Sequence, residues 1–132
     1  MKKYELIDES IIFESRKLYR IRALIDIPSI GVKAGDLGGW VQTEYNLSHL
    51  GDCWIFNSAK AMDRSQVRGN SCMRDNSCLI KNGSLNGDMV LFDNLVLDQP
   101  VHAFKFIDWE YFIAKNKQGE LVLTAGIVKN KE

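Results

Sequence analysis

Hydrophobic and polar positions in the middle of the chain repeat with a period of six. From Gly51 to Asp98 the sequence divides without a gap into GDCWIF, NSAKAM, DRSQVR, GNSCMR, DNSCLI, KNGSLN, GDMVLF and DNLVLD. The first position holds Gly51, Asn57, Asp63, Gly69, Asp75, Lys81, Gly87 and Asp93, and the second holds Asp52, Ser58, Arg64, Asn70, Asn76, Asn82, Asp88 and Asn94. Gly, Asn and Asp tolerate left-handed backbone angles and suit turns, so a turn is expected every six residues with only very short strands between. The third position is mostly small (Cys53, Ala59, Ser65, Ser71, Ser77, Gly83, then Met89 and Leu95). The fifth is mostly aliphatic (Ile55, Ala61, Val67, Met73, Leu79, Leu85, Leu91, Leu97). Positions two apart point to the same side of a strand. Each block therefore sends one small and one large side chain inward, whereas a helix would need apolar spacing near 3.6.

These columns predict an all-β protein whose middle, residues 47–99, is a short parallel β-helix, a solenoid of hexapeptide repeats. An antiparallel meander would need longer strands and irregular spacing. With three hexads per triangular coil, residues eighteen apart stack on one flat face, which sorts the outward fourth and sixth positions. Face one carries Trp54, Phe56, Cys72, Arg74, Val90 and Phe92; face two carries Lys60, Met62, Cys78, Ile80, Val96 and Asp98; face three carries Gln66, Arg68, Ser84 and Asn86. Face three is polar. Faces one and two present large apolar groups, and such patches call for a cover or a partner.

The flanks supply candidate covers. Residues 1–46 form an N-terminal β segment, in which Leu18 to Leu24 alternate apolar with polar and Tyr4–Ile7 and Ile11–Phe13 are expected partners. Pro28 and Gly31 end it, and Gly35-Asp36-Leu37-Gly38-Gly39-Trp40 is expected to be a sharp glycine-rich loop. It lacks the Gly-Lys-Ser/Thr ending of a phosphate loop. Residues 100–132 read as a β-hairpin that caps the coil, with strands at Phe104–Ile107, Tyr111–Ala114 and Leu121–Thr124.

Composition narrows the function classes. The chain has 132 residues, with 17 basic against 17 acidic. A formal charge of zero argues against binding driven by a polyanion's field. No apolar run approaches a membrane span, and the start, MKKYELIDES, lacks the apolar core of a signal peptide. Three cysteines without ligand spacing point to reduced thiols in a cytoplasm. Cys72 and Cys78 fall on neighbouring faces, which suits neither a disulfide nor a metal site. No metal and no cofactor is expected.

The run Val32 to Trp40, then Asn46-Leu47-Ser48, then Gly51-Asp52-Cys53-Trp54-Ile55-Phe56, with the strand Leu18–Leu24, resembles the leading segment of a group of bacterial and phage hexapeptide-repeat proteins, the YdcK-like proteins, often labelled transferases. The resemblance covers roughly residues 3–98. It implies a left-handed β-helix and a phage or prophage origin. The transferase label rests on fold.

Three functions follow as expectations. The first is a non-enzymatic protein-binding module, assembled as a homo-oligomer; the resemblance to phage-borne proteins implies an accessory protein that binds and inhibits a bacterial host factor such as a defence nuclease. Its contacts would be Trp54, Phe56, Arg74, Ile80, Val90 and Phe92; Trp40 and Trp109 read as either anchors or covers. The second is an acyltransferase using acyl-coenzyme A, with His49 or His102 as general base. Neither histidine has an acidic partner recognisable by spacing, and His49 falls in the aliphatic column just before the first regular hexad. The third is nucleic-acid binding through Arg16, Lys17, Arg20 and Arg22, interleaved with Tyr19; a solvated hairpin face is the commoner explanation of such a pattern.

Overall fold

The computed structural model describes residues 2–99 in full and three further strands as backbone. β1 (Tyr4–Phe13) and β2 (Arg16–Ala23) form an antiparallel hairpin. Its turn, Glu14-Ser15, has positive φ at both residues, 48° and 70°, a twist that matches the flanking strands. A 3-10 turn at Pro28–Ile30 follows and is closed by Gly31 at φ 75°. β3 (Leu37–Val41) then pairs antiparallel with β2. The expected glycine loop is thus a strand from Leu37 onward, and its glycines serve close packing. A Cβ on Gly38 would lie 2.7 Å from both Ile21 Cγ1 and the Ile55 carbonyl oxygen, and one on Gly39 would lie 2.5 Å from the Ala59 oxygen.

One two-residue strand follows in each hexad: β4 (Trp54–Ile55), β5 (Lys60–Ala61), β6 (Gln66–Val67), β7 (Cys72–Met73), β8 (Cys78–Leu79), β9 (Ser84–Leu85), β10 (Val90–Leu91) and β11 (Val96–Leu97). They stack in parallel as three faces of about three turns. Face one is β4-β7-β10, face two runs β5-β8-β11, and face three is β6-β9. The solenoid begins earlier than its hexads, because β3 pairs in parallel with β5 and Leu47 bridges to Val67.

All eight first-position residues adopt positive φ, from 53° to 74°. Two corners use Asp or Asn for a second reason as well. The Asp75 N–H donates to Asn57 Oδ1 (3.2 Å), Asp93 N–H to Asp75 Oδ2 (2.9 Å) and Lys81 N–H to Asp63 Oδ2 (2.9 Å), so side chains join one coil to the next. The third corner is glycine because the coils approach too closely for a side chain: a Cβ on Gly51 would lie 2.3 Å from the Gly69 oxygen.

Every fifth-position side chain is buried, as are the third-position residues. Burial of a Leu, Ile, Val or Met stabilises by about 1.5–3 kcal/mol relative to exposure. The buried serines keep partners: Ser65 Oγ–H donates to the Met62 carbonyl (2.6 Å) and Ser77 Oγ–H to that of Arg74 (2.9 Å). At the far end β11 pairs with β13 (Trp109–Lys115), which also pairs with β12 (Phe104–Phe106) and β14 (Leu121–Ala125). Face two thus becomes the middle of a nine-stranded sheet, with the N-terminal hairpin at one end and the C-terminal strands at the other.

Candidate functional site

A cluster of ionisable groups lies where the start of β1 meets the first coil. Trp40 pairs with Lys60 and Leu47 with Val67, whereas Gly51 stacks on Gly69. The first coil therefore holds two residues more than later ones, and His49 and Leu50 are the surplus. Leu47, not His49, occupies the aliphatic column. Leu50 projects into solvent, 81% exposed. His49 folds back over the hairpin. Its ring stacks on Tyr4, with centroids 4.2 Å apart. Its Nδ1 accepts the backbone N–H of Lys3 (3.1 Å), which leaves the ring proton on Nε2, 2.8 Å from Glu44 Oε1.

Glu44 is thus the acidic partner absent from local spacing. It lies in a 3-10 turn, Glu44–Asn46, opened by a Thr43 cap. Its carboxyl is held below the usual range, first by the His49 hydrogen bond and then by Lys2. A general base needs a free lone pair aimed at substrate. Both nitrogens of His49 are occupied by the chain itself, so His49 is a tie between strand and coil. His102 lies outside the described residues.

Below the histidine, Lys3 is only 2% exposed. Its ammonium donates to the carbonyls of Gly51 (3.1 Å) and Cys53 (2.6 Å) and lies 3.3 Å from Cys53 Sγ. Burial raises the Cys53 thiol pKa more than Lys3 lowers it. A buried thiol pushed toward its neutral form is a poor nucleophile. The Tyr4 hydroxyl donates to the Leu47 carbonyl (2.6 Å), and burial, with the nearby Glu44 charge, raises its pKa. Asn46 closes the coil from inside: its Oδ1 accepts from Gln42 N–H and Thr43 N–H, and its Nδ2 donates to the Asp63 and Ser65 carbonyls.

The basic strand is neutralised by its own fold. Arg16 grips Asp63 with two hydrogen bonds (2.7 and 2.9 Å), fastening the hairpin to a coil corner. Arg20 donates to the Gly38 carbonyl (2.9 Å), lies over the Trp40 ring and pairs with Glu9. Arg22 pairs with Glu5, and the Lys17 ammonium lies over Tyr19. These arginines meet carboxylates and a ring supplied by the same chain. They do not form an open basic face.

The outward apolar candidates divide into two groups. Trp54 is 1% exposed, with its ring edge-on to Tyr4 (6.3 Å). Val90 is buried, and Ile80 is half-buried against Leu18, Trp40 and Met62. Trp54 and Val90 are therefore not surface anchors: the chain covers its own apolar faces, with Tyr4, Leu6 and Ile30 packed into the core cluster that contains Trp54. Phe56 and Phe92 are half-buried with part of each ring outward, and Arg74 is exposed. These three stand one coil apart at the sixth position of face one. The side chain of Trp109 lies outside the described residues.

Among the described residues no group of three or more His, Cys, Asp or Glu is placed to hold a metal, and no helix is long and apolar enough to cross a membrane. No protein-family model and no curated protein matches the chain.

Proposed function

We propose that this chain is a non-enzymatic protein-binding module, acting as a phage or prophage accessory protein that binds and inhibits a bacterial host defence factor. The observation that carries the binding reading is the Phe56–Arg74–Phe92 column. It is a strip of two part-exposed aromatic rings with an exposed guanidinium between them, held on a rigid stack of strands. Aromatic residues and arginine are the groups enriched where proteins meet. The phage and host-factor part rests on the resemblance of residues 3–98 to the YdcK-like proteins. A cytoplasmic setting rests on the sequence, whose three cysteines are odd in number and lack ligand spacing. The acyltransferase alternative loses support at His49, whose two nitrogens hold Lys3 and Glu44.

The test is an affinity capture from bacterial lysate with tagged wild type and Arg74→Glu, read by mass spectrometry. A specific protein retained by wild type and lost with Arg74→Glu is the expected result. A lysate that yields no specific protein overturns the host-factor reading. Equal retention by both proteins removes the column from it.

A further inference from the structure

We infer that the Phe56–Arg74–Phe92 column receives one amphipathic α-helix of a partner protein, lying along the solenoid axis. Apolar side chains at i and i+7 of that helix would rest on the two phenylalanines, with an acidic side chain at i+3 or i+4 on Arg74. This inference rests on the protein-binding reading above and gives that partner its chemistry.

Spacing is the first support. Phe56 N–H bonds the Met73 carbonyl and Arg74 N–H bonds the Leu91 carbonyl, so the three residues occupy successive rungs. Rungs of a parallel sheet are about 4.8 Å apart, which puts the two phenylalanines about 9.6 Å apart along the axis. Seven residues of helix rise about 10.5 Å and return to the same face, and the third or fourth residue falls midway on that face. An extended strand along the same line shows a side chain on one face every ~6.7 Å and so misses the second ring.

Charge is the second support. Arg74 is exposed, and among the described residues no side chain forms an ion pair with it. It projects beside a buried floor made of Trp54, Cys72 and Val90, the fourth-position residues of the same face. On its other side the corner column carries Asp75 and Asp93, both exposed. The strip thus has a single cation inside an apolar line with an acidic margin. An apolar ridge with one carboxylate within it and a lysine or arginine along one flank is complementary to that arrangement. A polyanion is not, because Asp75 and Asp93 would repel successive phosphates.

The test uses the full chain and a fluorescein-labelled, helix-stabilised model peptide with leucines at i and i+7 and glutamate at i+3, followed by fluorescence anisotropy. Wild type should bind it, and Arg74→Glu should weaken binding roughly tenfold, as for a central charge pair. Replacing the peptide glutamate with lysine should restore binding to Arg74→Glu and weaken it for wild type. This swap leaves Phe56 and Phe92 untouched, so folding is not at stake. Failure of wild type to bind, equal binding of a proline-interrupted peptide, or indifference to the charge swap would each overturn the inference. A concentration-dependent dimer abolished by Arg74→Glu would replace the helix with a second copy of the chain. If a lysate protein is retained by wild type and lost with Arg74→Glu while the model helix does not bind, the helical partner falls and the module reading stands. If the helix binds but the lysate yields nothing, the host-factor reading falls and the helix-docking strip stands.

Discussion

The imidazole of His49 lies flat on the phenol ring of Tyr4, the planes 14° apart, and in that position its Nδ1 takes the backbone N–H of Lys3. One side chain thus satisfies the amide just before the first strand, covers the strand's first aromatic residue and reaches Glu44. We expect His49→Ala to lower unfolding free energy by about 1–2 kcal/mol, from one lost hydrogen bond to a part-buried amide and one lost ring contact. Urea denaturation measures it. An unchanged midpoint would show that the histidine is not a structural tie.

Gly39 meets the carbonyl of Ala59, an immovable backbone group. Gly39→Ala is expected to cost about 1–3 kcal/mol through overpacking between β3 and the first coil. Gly35→Ala is the control: its neighbourhood is open, and only its φ of 96° penalises a side chain. Thermal melts of both should rank Gly39→Ala as the more damaging. The opposite order would return the glycine run to a turn-forming role.

Asn46 makes four hydrogen bonds while fully buried. Asn46→Ala leaves backbone donors and acceptors without partners inside the first coil, a loss of about 2–4 kcal/mol if two of them stay dry. Asn46→Asp keeps the two accepted bonds but replaces the donating Nδ2 with one oxygen that two carbonyls repel, so it should be no better than alanine. Chemical denaturation of the pair decides this.

The Arg16–Asp63 bridge sets a pH dependence. Hydrogen bonds from Arg16, foremost, hold the Asp63 carboxyl below its ordinary pKa. A carboxyl lowered in the folded state binds its proton more readily when unfolded. Its stabilisation is therefore full above the unfolded value of about 3.9 and is lost as pH falls through the folded value. The urea midpoint of wild type should drop between pH 6 and pH 3 by more than that of Asp63→Asn, which lacks the titrating carboxyl. Parallel curves would mean that Asp63 is not coupled to folding.

The hexads were legible because each carries its own turn: a left-handed first residue, a small third and an aliphatic fifth are decided within six residues. The hairpin of β1 and β2 was legible from alternation. The site was less so. Glu44 and His49 are five apart and lie on no regular element, so periodicity could not pair them; the Thr43 cap three residues before Asn46 was the nearest signal. Lys3 lies outside every periodic pattern, and only the coil that encloses it gives it a role. The arginines of β2 read as a basic face because their carboxylates, Glu5, Glu9 and Asp63, arrive from another strand and a distant corner.

The repeating unit follows from the residues of each hexad alone, since backbone preference and side-chain size act at short range. Where that unit starts was a tertiary matter: β3 joins the stack only because glycines at 38 and 39 let it approach Ile55 and Ala59. The fate of the outward apolar groups was also decided in three dimensions. Trp54 and Phe56 lie two residues apart on one face, yet Tyr4 packs against Trp54, while the sixth-position column of Phe56, Arg74 and Phe92 keeps its outer edge. Burial is a property of what folds over a residue, and no pattern confined to the residue's own strand can state it.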